Sequence, residues 1–226
     1  MPEQPSTLAR TERTTLRRKR ERGSYDRAAA CAVLDEALVA HVGFELDGTA
    51  HVLPMVHARV GDVLYLHGAA GNRMLRRLAD GVPVCVTVTL VDGIVLARAA
   101  AHHSLNYRCV VLYGRAERVT DPAEVDRASA ALLDHMAPGR AGDARPPDEA
   151  DRRRTMFVRI PIGEGSLKVR TGPPLDEEQD MGLDVWAGVV PLSLAAGPPQ
   201  TDPALGRGVA VPAYAAAYPR RGAGRA

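Results

Sequence analysis

The stretch Leu66-His67-Gly68-Ala69-Ala70-Gly71-Asn72-Arg73 has the residue types of an anion site. Its glycines let a ligand approach the backbone closely. A helix start at Asn72 presents unpaired N–H groups, which favour negative charge. Arg73 adds a planar cation that can grip a phosphate through two hydrogen bonds. The same spacing also suits an ordinary turn, with Asn72 as a helix cap and Arg73 in solvent. The Gly-Lys-Ser/Thr ending of a Walker A loop is missing.

A second group, His102-His103-Ser104-Leu105-Asn106-Tyr107-Arg108, is dense in hydrogen-bond donors. Such density suits a polar ring or a phosphate, and equally a polar connection between strands. The chain has seven histidines. His51 and His57 share one face of a strand, and His67 lies on the next strand. No HExxH or Cys/His spacing accompanies them, so a metal centre is disfavoured, while haem ligation by one histidine stays open. Cys31, Cys85 and Cys109 are an odd number at wide spacing, which argues against a disulfide framework or zinc ribbon. They read as packing residues of a chain kept in a reducing cytoplasm. No GxSxG is present for nucleophilic chemistry.

The elements that must position these residues follow from periodicity. Apolar positions Ala30, Val33, Leu34, Ala37 and Leu38 predict a helix near 26–39, capped by Ser24 or Asp26. His41–Leu46 then alternates, and Asp47-Gly48 is a hairpin signal. Val52–Val60 returns, Gly61-Asp62 turns, and Val63–His67 follows, so an antiparallel meander is expected. A short helix over 72–80 comes next. Val84–Leu90 is β-branched, and Asp92-Gly93 is expected to turn it into Ile94–Ala99. Tyr107–Val119 is a long strand with Gly114 as a bulge. Asp121, Pro122 and Glu124 start a helix over 122–136. Pro138–Pro147 reads as a loop, 148–155 as a helix, and 156–161 and 165–170 as strands. There is no βαβ alternation, so a dinucleotide-binding doubly wound sheet is disfavoured, and a small antiparallel barrel fits best.

Composition sets the limits on function. The formal net charge is +2, too balanced for a surface devoted to polyanions. The charge is unevenly placed: residues 10–27 hold eight basic and three acidic residues, a net of +5 on a lead-in to an acidic body. Without interleaved aromatics, this arm reads as a solvated lead-in, and nucleic-acid binding is disfavoured. No run of 18 apolar residues occurs, so no membrane-spanning helix is expected. From Ala195 onward, 20 of 32 residues are Ala, Gly or Pro, which predicts partial disorder, although Val209–Pro212 and Tyr214 can dock. The expected organisation is a basic arm over 1–22, one domain over 23–194 and an extension over 195–226.

Three segments in this order carry a resemblance: Leu66–Arg73, His103-Ser104-Leu105-Asn106-Tyr107-Arg108, and Trp186-Ala187-Gly188-Val189-Val190-Pro191. Together they resemble the FMN-binding split-barrel superfamily, in its flavin-nucleotide-binding, nitroimidazole-resistance-like branch related to pyridoxamine 5′-phosphate oxidase. The resemblance implies a mainly β fold, a six-stranded antiparallel split barrel of Greek-key type with peripheral helices. It also implies a homodimer with FMN in a cleft between subunits. The positions matching the family's cofactor contacts are Pro54, Met55, Val56 and His57 on one strand, and Leu66, His67 and Gly68 on the next. Asn72 and Arg73 stand at the phosphate pair, with Arg108, Cys109 and Trp186 beyond. His67 matches the histidine thought to be catalytic in the nitroimidazole-resistance branch.

The departures are specific. The family's Arg-Lys phosphate pair is here Asn72-Arg73, a charge that Arg108 is expected to restore. Cys109 stands where the oxidase has a flavin-contacting glutamine. The Arg-Leu-His-Asp-Arg-type segment that holds pyridoxal phosphate is replaced by Val189-Val190-Pro191-Leu192, which argues against the vitamin-forming reaction. The expected function is therefore electron transfer from NAD(P)H through FMN to a small acceptor of nitroaromatic or quinone type. The alternative is a split barrel that binds flavin, deazaflavin or haem without turnover.

Overall fold

A computed structural model describes residues 5–206 and 208–218. The first residues of the arm over 1–22, and Arg207 and 219–226 of the extension over 195–226, lie outside the described residues. The strands are β1 (Gly23–Ser24), β2 (Val39–Leu46), β3 (Thr49–Val60), β4 (Val63–Ala69), β5 (Pro83–Leu96), β6 (Ser104–Arg115), β7 (Glu117–Arg118), β8 (Thr155–Pro161), β9 (Glu164–Arg170) and β10 (Gly188–Pro191). The helices are α1 (Arg27–Glu36), α2 (Arg73–Ala79), α3 (Pro122–Met136), α4 (Arg140–Asp143), α5 (Glu149–Arg154) and α6 (Ala213–Ala216).

All pairings between named strands are antiparallel, in the order β1-β9-β6-β5-β2-β3-β4-β8-β7, with β10 added to β5. β8 and β9 are neighbours in sequence yet bond to opposite margins of the sheet, β8 to β4 and β9 to β6. The sheet must therefore curl until those margins meet. Hydrogen bonding does not close across that seam. Side chains fill it instead: a Cβ on Gly114 would lie 3.4 Å from Ile160 Cγ2. Gly114 is thus a point of close approach. It is not the expected bulge, since it pairs in regular register with Val84.

The meander forms as expected. Asp47 (φ 52°) and Gly48 (φ 76°) take the left-handed conformation that a tight two-residue hairpin turn requires. Asp26, Asn72 and Asp121 each cap a helix by accepting a backbone N–H. Two expectations change. α1 stops at Glu36, and Val39 already belongs to β2, because strand pairing to β3 outcompetes another helical turn. Asp92-Gly93 does not turn: β5 runs through it, with Asp92 as an extra residue between the Val91–Tyr107 and Gly93–Asn106 pairs.

The interior is packed by Leu34, Val42, Leu64, Leu66, Val86, Leu112 and Ile160, all buried. A second, smaller cluster lies outside the barrel, where α3 sets Ala128 and Leu132 against Ala58, Tyr65 and Phe157. Strand alternation separates the two: Leu64 and Leu66 point inward, while Tyr65 and His67 point toward α3. The N-terminal segment lies along β9, with Leu8 buried and Arg13 bonded to Glu164 at 2.5 Å.

Candidate functional site

The expected site residues fall into three places. Pro54 and Cys109 share the outward face of the sheet. Pro54 pairs with His41, His41 with Thr87, and the next outward residue of β5, Thr89, with Cys109. Thr89 Oγ1 lies 3.4 Å from Cys109 Sγ. The side chains here are small, and among the described residues no element covers this half of the face as α3 covers the other. Val56 packs under α3, and Met55 packs against the interior cluster.

His57 is not in a cleft. It is fully buried, its Nε2 is 2.9 Å from the Leu34 carbonyl, and its ring lies 4.9 Å from that of His135. His135 Nε2 in turn is 2.7 Å from the Ala37 carbonyl. The two imidazoles lock the end of α1 to that of α3, which keeps His57 from an outside ligand.

His67 is placed differently. Its ring stacks on Phe157 with centroids 5.6 Å apart and planes at 25°. It forms the floor of a cavity of about 420 Å³ between β4, β8, α3, α5 and the loop that holds α4. That volume lies in the range of small-molecule sites, roughly 300–1,000 Å³. Val125, Leu133, Ala144, Pro146 and Pro147 make apolar walls, and Arg145 and Arg152 stand at the lining with Asp126 and Asp151. The Nδ1 of His67 is buried with no hydrogen-bond partner among the described residues. Burial lowers its pKa below the usual 6.5, so the ring is neutral at pH 7. The cavity wall is held by Glu124 of α3, which accepts from Tyr65 Oη at 2.8 Å and from Arg159 Nη1 at 3.0 Å. Burial, with this bond, pushes the Tyr65 phenol up to about 12.

The arginines expected at a phosphate are engaged. Asn72 Oδ1 accepts from Leu75 N at 3.2 Å as a helix cap. Arg73 is exposed and pairs with Asp47 at 2.7 Å, with both side chains about three-quarters exposed. Arg108, on β6, binds both Glu36 and Asp92. Those two carboxylates raise its pKa further, the Glu36 hydrogen bond being the larger cause. Two more residues of the donor-rich segment are engaged. Asn106 bonds to the Gly172 carbonyl at 3.1 Å and accepts from Arg170, and His103 Nδ1 is 3.1 Å from the Ala99 carbonyl. Trp186 is two-thirds exposed beside Gly188, just before β10.

Two residues at these places went unseen in the sequence. Asp92 has the sequence signature of a turn residue, although the bulge aims its carboxylate at Arg108. Phe157, one of only two phenylalanines, sits opposite His67 in the β4–β8 register. A rare aromatic on a strand paired with the His67 strand was the available signal.

The family model of pyridoxamine 5′-phosphate oxidase matches residues 26–169. The chain belongs to that family. Among solved structures, the flavocytochrome Anf3 from Azotobacter vinelandii is 36% identical, with 92% of this chain and 96% of that one covered and a TM-score of 0.86. The FAD and haem binding protein from Mycobacterium smegmatis is 35% identical, covering 85% and 95%, with a TM-score of 0.82. A Bacteroides thetaiotaomicron protein assigned to 5-nitroimidazole antibiotic resistance shares the fold, at 23% identity, coverage of 65% and 86%, and a TM-score of 0.54. No curated protein matches. The fold is the split barrel of this family, mainly antiparallel β with a few helices and an unclosed sheet. No helix among the described residues is long and apolar enough to cross a membrane.

Proposed function

We propose that this family member is a redox protein that binds a flavin and a haem and passes electrons from NAD(P)H to a small nitroaromatic or quinone acceptor. The observation that carries the reading is the near-full-length likeness, at 36% and 35% identity, to a flavocytochrome and to an FAD and haem binding protein. When bound, a flavin supplies hydride acceptance and electron transfer; the chain supplies position and electrostatics. FMN is what the family resemblance implies, and FAD is what the mycobacterial relative is described as binding.

The residues present suit both groups. The outward face around Pro54, Thr87, Thr89 and Cys109 offers hydroxyls, a thiol and little bulk, which lets a flat ring lie close. Arg73 can leave Asp47 for a phosphate, because an exposed pair holds weakly. His67 lines the cavity between β4, β8 and α3, and imidazole is a residue type that holds a porphyrin's metal. A second copy of the chain completes the cleft. Val39, Val52, Val91, Ile94 and Val190 are exposed apolar side chains on β2, β3, β5 and β10, and a partner would cover them. Loss of the pyridoxal-phosphate segment after Trp186 argues against the oxidase reaction itself.

The first test is an absorption spectrum of the purified protein, with chromatography of any released flavin to separate FMN from FAD. Protein that stays colourless and takes up neither flavin overturns the reading. Oxidation of NADH or NADPH with a quinone or nitroaromatic acceptor tests turnover; flavin binding without it would leave a carrier. Trp186 is the only tryptophan, so its fluorescence tests whether it borders the flavin. Emission unchanged on adding flavin removes Trp186 from the site.

A further inference from the structure

We infer that the basic turn of the N-terminal arm, Arg18, Lys19 and Arg20 with Lys168 of β9 beside it, binds the 2′-phosphate of the nicotinamide donor, so that this chain takes NADPH in preference to NADH. This rests on the redox reading above and adds which donor is taken and which side chains select it.

The arm is a built part of the molecule and not a loose lead-in. Leu8 and Thr14 are buried, and Tyr25 Oη donates to the Thr14 carbonyl at 2.9 Å. Leu16 packs so closely over Gly23 that a Cβ there would collide with it. Lys19 takes a left-handed φ of 54°, which turns the chain sharply into a 3-10 turn over Arg20–Arg22. Lys168 Nζ donates to the Arg18 carbonyl at 3.4 Å and ties that turn to β9.

Sheet register sets this turn at the margin of the outward face. Thr89 pairs with Cys109, Cys109 with Lys168, and Lys168 with Gly23, so the four lie in one row. Residues paired across strands point to the same side, so Lys168 stands on the face that carries Cys109, and Arg170 shares it. From β6, which holds Cys109, to β1 at the edge is two strand spacings, about 10 Å. A nucleotide with its nicotinamide at Thr89 and Cys109 can therefore reach the turn with its adenosine end.

Positive charge is unmatched at this margin. Arg27, Arg59, Arg98 and Arg108 each hold a carboxylate. Among the described residues no carboxylate pairs with Arg18, Lys19, Arg20, Lys168 or Arg170, and Arg22 meets only Glu21, at 3.9 Å. Arg170 is buried and bonds to neutral oxygens, those of Asn106, Gly172 and Pro173. Burial, with the Arg22 charge, pushes its pKa down, as expected where cations crowd without a counter-ion. A 2′-phosphate brings about two negative charges at pH 7, and it is the group that NADPH has and NADH lacks. Exposed guanidinium groups grip such a phosphate through paired hydrogen bonds, and the local potential draws in the more highly charged donor. The cluster is one turn long and borders the face, which suits a small anion better than a polyanion.

The test is calorimetric titration of the purified full-length protein with NADP+ and with NAD+, alongside oxidation of NADPH and NADH with a quinone acceptor. Flavin content and melting temperature are measured for every variant. Wild type is expected to bind NADP+ and to use NADPH about tenfold better, the gain of one charged hydrogen bond. That advantage should shrink as ionic strength rises. The triple variant Arg18→Gln, Lys19→Gln, Arg20→Gln should bring the two donors close to parity, through a higher KM for NADPH, with flavin content and melting temperature kept. Arg153→Gln, which removes an exposed cation on α5, should keep the wild-type preference. Equal use of both donors by wild type, or a preference that the triple variant retains, overturns the inference and leaves the redox reading standing. Duplex DNA that binds the turn and is not displaced by NADP+ overturns it in favour of a polyanion. NADP+ binding that the triple variant loses, without turnover, upholds the site and overturns only the redox reading. Neither binding nor oxidation of either nucleotide overturns both.

Discussion

Arg108 and His67 both stood out in the sequence as candidates, and their surroundings could hardly differ more. Arg108 is enclosed by Glu36 and Asp92, each offering two oxygens, which take four of its five N–H donors. His67 lines a cavity, and its buried Nδ1 has no partner among the described residues. Three formal charges meet around Arg108, one positive and two negative, so a phosphate there would meet net repulsion. The lesson concerns saturation. A charged group whose hydrogen bonds are all met by its own chain holds the fold together. A polar group at a cavity whose bonds its own chain does not meet is where a ligand is worth testing.

The comparison can be broken most forcefully at Arg108. Arg108→Ala leaves two partly buried carboxylates facing each other without a cation, and should cost about 3 kcal/mol of stability. For a domain of this size the melting temperature should fall by roughly 10 °C. An unchanged melt with weakened flavin binding would make Arg108 a ligand residue after all.

A smaller effect is expected at Glu164, saturated by Arg13 and Thr11. The Arg13 hydrogen bond is the larger cause of its pKa falling to about 2 from 4.5. The group is depressed when folded, so its contribution is full above pH 4.5 and fades as pH falls toward 2. Acid titration of Glu164→Gln, followed by circular dichroism, should show a flatter stability loss across that window.

His67 should behave in the opposite way. His67→Leu gives up no hydrogen bond within the chain, so cofactor-free stability at pH 7 should change by less than about 1 kcal/mol. Its folded pKa is lowered, so the unfolded chain binds the proton more readily. Wild-type stability should therefore decline as pH falls through 6.5, and that component should vanish in His67→Leu. Chemical denaturation at pH 7.5 and pH 5.5 measures it. A wild type with no such decline would mean that the imidazole has a partner in solution.

The least effect on stability belongs to Arg73. Its pair with Asp47 is exposed, so Arg73→Ala should shift stability by no more than about 0.5 kcal/mol. If Arg73 holds a flavin phosphate, the same variant should lose about tenfold in flavin affinity, as for a lost charged hydrogen bond. Fluorescence titration with FMN and FAD separates the two effects.

Local pattern made much of this protein legible. Alternation gave β2, β3 and β4 to within two or three residues at their ends, Asp47-Gly48 marked its hairpin, and Asp121 with Pro122 marked the start of α3. The order of three short motifs was enough to recognise the split barrel. These features depend on neighbours within a few positions, which a sequence displays directly. Asp92-Gly93 shows the limit. The same dipeptide that makes a turn in a free hairpin becomes a bulge when β6 and β10 pair on both sides of it.

The sequence by itself therefore determined the fold, the family and the short roster of residues worth testing. Only the tertiary structure decided among them. Arg108 meets Glu36 across 72 positions, and His57 meets Leu34 across 23. His67 meets no such partner among the described residues. Whether a polar side chain is satisfied depends on which distant groups the folded chain brings within about 3 Å, and no local periodicity encodes that distance.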